Sequence, residues 1–312
     1  MATSTSLRRL AWAFAVLTGM TYALVVFGAI VRAQGAGLAC PDWPLCFGQV
    51  VPRMDFGVVF EWGHRALASV VSLGLLGLII GTWFVPAARA LIGRYLIAAV
   101  VVLAVQIVLG GLTVLHLLAT WTVTSHLLVG NAFALSLGLV SATLFRVSRP
   151  QVEQPPSPGA ASVAWHLVAL LLLAQMTLGG LVASSFAGLA CVTWPACVGD
   201  SWFPTLSGPV GLHVLHRVTA YGLVLAIGAA AALSRGDLRR LGVLASVVVL
   251  LQVALGVANV LLQLPVEVTA GHSAGAAALC LLTALSLQMV YTRGRAQLVT
   301  TPAAAPALTE AA

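Results

Sequence analysis

"GLACPDWPLC" occupies residues 37–46 and "GLACVTWPAC" residues 188–197. Chance does not write Gly-Leu-Ala-Cys-x-x-Trp-Pro-x-Cys twice with both cysteines in register, so the chain is one unit used twice. The alignment extends outward from these phrases. Adding 151 carries Gly28 to Gly179 and Cys40 to Cys191, and adding 152 carries His64-Arg65 to His216-Arg217. Adding 146 carries Gln106, Gly110 and His126 to Gln252, Gly256 and His272. The offset changes fall in loops, where insertions are tolerated.

The solvent of this unit is lipid. Hydrophobic residues make up 60% of the chain, charged residues 7%, and the mean hydropathy is +1.04. A soluble domain carries about 25% charged residues. Eight stretches are long and apolar enough to cross a bilayer: about 10–31, 61–84, 94–115, 121–145, 162–185, 211–233, 240–262 and 267–290. The first is read as a retained helix, since its apolar run is longer than the core of a cleaved leader.

Every basic residue is Arg. Arg8, Arg9, Arg89, Arg94, Arg146, Arg149, Arg235, Arg239, Arg240, Arg293 and Arg295 fall at one set of span ends, and only Arg32, Arg53, Arg65 and Arg217 at the other. The positive-inside rule then puts both termini in the cytoplasm and both Cys loops outside. The net charge of +7 reports this topology; dispersed over loops, it forms no nucleic-acid stripe.

The expected fold is an all-α integral membrane protein of eight transmembrane helices, arranged as two pseudo-twofold-related four-helix bundles. Residues 1–145 form the first bundle and 163–292 the second. The Pro- and Ser-rich segment 146–162 is a cytoplasmic linker, and 293–312 a disordered cytoplasmic tail. An even number of spans per half makes the repeats parallel, related by an axis along the membrane normal. Gln-x-x-x-Gly recurs on the third, fifth and seventh spans and reads as close helix packing, with Gln bonding a neighbouring helix.

Histidine carries the chemical signal. His64, His126, His216 and His272 sit on spans of one direction, one to two turns below their outer ends. An imidazole in lipid must satisfy its nitrogens. Two pairs at matched depth suit a flat ligand gripped between imidazoles, and haem iron takes axial His. The plainer reading, in which each ring bonds a carbonyl or hydroxyl, stands beside it; zinc is disfavoured for want of third and fourth ligands. His116 and His166 read as interfacial or structural. Arg65 and Arg217 each follow a ligand candidate and either contact haem propionates through a guanidinium fork or snorkel outward.

The repeat is broken in one telling place. "FEWGHR" (60–65) aligns with "LHVLHR" (212–217), so Glu61 stands where the second half has His213. Three residues before His64, Glu61 shares its helical face. It is placed to accept a proton or stabilise positive charge, or else simply to favour the helix start. His213 reads as structural or propionate-side. On an oxidising face Cys40 with Cys46, and Cys191 with Cys197, read as disulfides that clamp their loops. A redox role competes for the first pair, and Cys280 packs alone.

Taken together, Glu61-x-x-His64-Arg65, His126, His216-Arg217, His272 and the paired Cys loops around Trp-Pro resemble the haem A synthases, over residues 8–292. The resemblance implies oxidation of the C8 methyl of haem O to the formyl group of haem A for cytochrome oxidase. It implies haem b as cofactor on His216 and His272, haem O on His64 and His126, and Glu61 as the group assisting the reaction. It further implies a bacterial cell-membrane location, and haem O synthase and cytochrome oxidase assembly factors as partners; a homo-oligomer stays open. The rival readings are a di-haem b electron carrier or quinol oxidoreductase, which gives Glu61 no special task, and a small-solute transporter. The transporter is disfavoured because the spans lack mid-helix proline and have few central charges.

Overall fold

The computed structural model describes residues 2–148 and 159–300. Eight long helices account for nearly all of them: α1 Ala2–Ala33, α2 Phe56–Trp83, α3 Pro86–Leu115, α4 Thr120–Val147, α5 Gly159–Ser184, α6 Gly208–Leu233, α7 Gly236–Leu261 and α8 Val266–Thr300. Each contains a stretch long and apolar enough to span a bilayer, so the protein is an all-α, multi-pass membrane protein. The expected linker 146–162 is helical at both margins, and its middle, 149–158, lies outside the described residues. The expected disordered tail is helical over 293–300, where α8 continues; residues 301–312 lie outside the described residues.

Within the first half α1, α2, α3 and α4 pack in a ring of neighbours, and α5, α6, α7 and α8 repeat that ring. The halves meet along α4 and α8, with α1 resting on α8 as α5 rests on α4. That reciprocal contact is the one a twofold axis produces. Small residues permit it. A Cβ on Gly138 would lie 2.7 Å from Leu281, and one on Gly180 would lie 2.9 Å from Thr124. Polar groups then lock the seam, with Tyr22 donating to the Ala274 carbonyl at 2.7 Å and Gln288 to Thr143 Oγ1 at 2.7 Å.

Each half has its own apolar core at the end away from the Cys loops. Phe14, Leu75, Ile92, Leu137 and Leu144 fill the first, and Trp165, Leu223, Ile227 and Leu238 the second. Trp165 is wholly buried, and its indole N–H donates to Ser234 Oγ at 3.1 Å. These cores leave the loop end of each bundle free for something else. Among the described residues, no part of α2 comes within 8 Å (Cα–Cα) of α4, nor of α6 to α8. By that measure the first ring is uncrossed between α2 and α4, and the second between α6 and α8 and between α5 and α7.

The repeated phrase also explains its own glycine. The α3–α4 turn places Leu117 and Leu118 in the left-handed region (φ 51° and 59°), and the α7–α8 turn does the same with Gln263 and Leu264 (60° and 61°). The second of each pair drives its side chain against the phrase glycine. A Cβ would lie 3.4 Å from Leu118 at Gly37 and 3.1 Å from Leu264 at Gly188. Any larger residue there would push the Cys loop off the bundle.

Candidate functional site

The four histidines lie on the helices that flank the α2/α4 and α6/α8 diagonals. His64 lies eight residues into α2 and His216 eight into α6; His126 and His272 lie six into α4 and α8. At a rise of about 1.5 Å per residue all four are about 9–12 Å from the loop ends of their helices. His64 lies within charge-interaction range of His126, and His216 of His272. The pairs therefore form within halves, across α2/α4 and across α6/α8.

Each ring is seated on a glycine of the neighbouring helix. A Cβ would meet His64 Cε1 at 3.1 Å from Gly28, His126 Cε1 at 3.1 Å from Gly110, His216 Cε1 at 3.0 Å from Gly179 and His272 Cε1 at 3.4 Å from Gly256. Four glycines at four repeat-related places are not general packing residues. They set the plane and depth of the imidazoles. The glutamines one turn away do the same from the side. Gln106 Nε2 meets His126 Nε2 at 3.3 Å, Gln175 Nε2 meets His216 Nε2 at 3.4 Å, and Gln252 donates to the His272 carbonyl at 2.8 Å. The packing role expected of Gln-x-x-x-Gly is thus directed at the histidines, and its recurrence on the helix preceding three of the four was the signal for it. The fourth position, beside His64, is Leu24.

Polar accounting singles out these residues. Among the described residues eight buried side-chain N or O atoms lack a hydrogen-bond partner. Seven of them are Nδ1 of His64, His126, His216 and His272 and Oε1 of Gln106, Gln175 and Gln252. Unpaired polar atoms in a bilayer cost several kcal/mol each, and a molecule would not gather them by accident. No group of three or more His, Cys, Asp or Glu side chains able to hold a metal ion occurs among the described residues. A bare metal ion is therefore poorly served. Two imidazoles from helices on either side of a bundle diagonal suit instead a group that brings its own equatorial ligands, as haem does.

Above the rings stand the Cys loops, and here the arginines find their place. Arg65 donates through Nη1 to the carbonyls of Asp42 (2.8 Å) and Leu45 (2.7 Å), and through Nη2 to that of Cys40 (3.4 Å). Arg217 donates to the equivalent carbonyls of Thr193 (2.9 Å), Ala196 (3.3 Å) and Cys191 (3.2 Å). Each arginine next to a site histidine clamps three matched carbonyls. With a further bond from Nη2 to Glu61 Oε1 at 2.5 Å, Arg65 has four of its five N–H groups engaged. The bidentate propionate fork expected of Arg65 is thus taken up by its own loop. Cys40 and Cys46 sulfurs lie 2.00 Å apart, as do those of Cys191 and Cys197.

Glu61 is buried, at 5% exposure. One oxygen pairs with Arg65 and the other accepts the Cys40 N–H at 2.8 Å. Its repeat partner His213 is equally buried and bonds the Ala187 carbonyl through Nδ1 at 3.0 Å. His166 bonds the Ser162 carbonyl and Tyr291, each at 2.7 Å, and His116 stacks edgewise on Trp121. Neither joins the site, and Cys280 is buried in the second core.

The sequence has known relatives. The family model described as "Cytochrome oxidase assembly protein" (COX15-CtaA) matches residues 11–285. The Heme A synthase of Shewanella oneidensis is 30% identical over 322 residues, covering 88% of this chain and 94% of its own. That of Symbiobacterium thermophilum is 31% identical over 269 residues, covering 79% and 86%. That of Rhizorhabdus wittichii is 27% identical over 315 residues, covering 85% and 89%.

Proposed function

The chain belongs to the COX15-CtaA family of cytochrome oxidase assembly proteins, and from that premise we propose how its two halves divide the work of making haem A. It is an oxidoreductase acting on a methyl group of haem O, as its Heme A synthase relatives are. The N-terminal bundle, residues 1–145, takes haem O between His64 and His126. The C-terminal bundle, residues 163–292, keeps a haem b between His216 and His272. When bound, haem b supplies one-electron redox chemistry beside the substrate. The observation that carries this assignment is the set of four buried, partnerless imidazole nitrogens, two in each half.

The chain's own groups then have distinct tasks. Gly28, Gly110, Gly179 and Gly256 seat the rings, and Gln106 and Gln175 steady two of them from the side. Taking a methyl group to a formyl group is a four-electron oxidation that removes hydrogen from carbon and adds oxygen, so a carboxylate beside the substrate can take the protons released or orient water. Glu61 fills that role, one turn outward of His64 and held by the Cys40 N–H and Arg65. Its second-half counterpart is a histidine tied to a carbonyl, in keeping with a half that binds without reacting. Arg65 and Arg217 fix the loops that roof the two sites, and Arg217, with two N–H groups left over, is the better placed to reach a propionate.

The two Cys pairs are disulfides facing the oxidising side of the cell membrane, and the Arg-rich helix ends and both termini face the cytoplasm. Haem O synthase delivers the substrate, and assembly factors of cytochrome oxidase receive the product. Co-expression with a haem O source, followed by chromatography of haems extracted from the purified protein, tests the whole reading. Haem A and haem O beside haem b is the expected result. Two equivalents of haem b and no modified haem would identify an electron carrier instead.

A further inference from the structure

The two bundles also differ in a place far from the histidines. α2 and α3 approach each other least of any consecutive helices, and near their ends away from the Cys loops a crevice of about 400 Å³ opens between them. Its walls are apolar, with Ile79 on α2 and Gly93, Leu96 and Val100 on α3. At its inner end the Arg89 guanidinium lies over the Trp83 ring, 5.0 Å from the centroid, and forms a floor.

The internal repeat says what the crevice replaces. Adding 152 carries Ile79 to Ala231, and adding 146 carries Leu96 to Gly242. In the second half these two small residues bring α6 and α7 into backbone contact, for a Cβ on Gly242 would lie 2.8 Å from Ala231 Cα. Where the second half closes its seam with Ala and Gly, the first props the same seam apart with Ile and Leu. The half that retains its porphyrin is sealed there. The half that exchanges one is not.

Resting on the division of labour proposed above, we propose that this crevice seats the isoprenoid tail of haem O. Depth supports the occupant. Gly110 marks the level of the His126 ring on α3, and Val101 and Ile97, both on the crevice wall, lie nine and thirteen residues further along the helix. Those steps are about 14 and 20 Å, a span that half a porphyrin followed by an extended farnesyl chain covers. The walls offer hydrocarbon and no anion partner until the floor at Arg89, which suits a tail without a headgroup. Lipid around the protein is as apolar as the crevice, so the tail gains little from leaving it. The crevice acts by register: a seated tail fixes which edge of the porphyrin points inward, and so which methyl group faces the α2 side.

Gly93 supplies a clean test, because a Cβ there has no atom within 4 Å and a longer side chain fills the crevice without moving backbone. The full chain loaded with haem b is titrated optically with haem O and, separately, with tail-free haem b as a second equivalent. In Gly93→Leu the dissociation constant for haem O should rise about tenfold, the size of a moderate steric misfit, with that for haem b unchanged. Val100→Phe should act in the same direction. An equal change for both porphyrins, or no change in either, would overturn the assignment. So would haem O affinity held constant while co-purifying phospholipid is lost, since the occupant would then be a lipid. Failure of the unmodified chain to bind haem O at all would overturn the underlying reading together with this one.

Discussion

Beside His216 the second half places Gln175; beside His64 the first half places Leu24. The same contrast recurs between the bundles. His213 ties itself to a loop carbonyl, whereas Glu61 holds an anion against Arg65. Ala231 and Gly242 close one seam, and Ile79 and Leu96 hold its counterpart open. What the halves share is different in kind: four histidines, the glycine under each, and an arginine gripping three matched loop carbonyls. Shared features build a place for a porphyrin. The differences give the first half a wider α2–α3 seam and a buried carboxylate. On the reading proposed above, a duplicated scaffold keeps one copy for binding and turns the other toward turnover.

The strongest way to break that contrast is at Glu61. Glu61→Gln should lower haem A formation by about 10²-fold or more, the usual weight of a general base, while extracted haem b stays at the unmodified level. His213→Gln should leave haem A formation within a few-fold. Equal effects at the two positions would make both residues loop anchors and nothing more. Removing a loop closure comes next. Each Cys pair closes a ring of seven residues, worth about 2 kcal/mol by chain entropy. Thermal unfolding of Cys191→Ser should show a loss of that order with haem b still bound. Loss of haem A formation in Cys40→Ser beyond what its stability change explains would sharpen the contrast, by giving the first pair a redox task that the second lacks.

A finer cut lies under the rings. Gly179→Ala puts a Cβ 3.0 Å from His216, and Gly256→Ala one 3.4 Å from His272. The first should weaken haem b retention about fivefold, a cost of about 1 kcal/mol, and the second by less. Gly28→Ala, at 3.1 Å from His64, should spare haem b and weaken haem O. Haem content after dialysis reads all three, and a reversed order would remove the seating role.

The smallest effect is a matter of pH. Asp42 accepts the amides of Gly48 (2.8 Å) and Phe47 (2.6 Å), and those bonds, Gly48 first, hold its carboxyl below the ordinary value of 3.8. A carboxyl lowered on folding stabilises the loop fully above the unfolded value, near pH 4, and the benefit is lost as pH falls through the lowered one. The second loop has Thr193 at that position, a neutral hydroxyl donating to Ala196 at 2.9 Å. Amide exchange corrected for intrinsic rates should show acid loosening at Phe47 and Gly48 alone. Matched loosening in both loops would contradict it.

Much of this plan is legible in the sequence, for a physical reason. Imidazoles and a carboxylate in apolar helices stand out because lipid tolerates so few of them, and a ten-residue phrase repeated in register announces the duplication. The eight spans fall where hydropathy puts them, although α1 and α3 begin eight residues earlier and α8 runs ten residues further than expected. Arg65 and Arg217 were harder. A charge beside a ligand histidine suggests propionates, and only the folded loop reveals three carbonyls converging on each guanidinium. Leu118 and Leu264 carry no mark of a left-handed turn, since leucine rarely adopts one. The open seam is invisible for another reason: Ile79 and Leu96 are ordinary membrane residues until set against the Ala231 and Gly242 that replace them.

The central claim is that one pair of histidines keeps a cofactor and the other handles a substrate. Its most direct test is the haem content of the His64→Ala/His126→Ala chain purified from cells supplying haem O. The account predicts one haem b per chain, with haem O and haem A gone. Loss of haem b from that protein, or persistence of haem A, would contradict it.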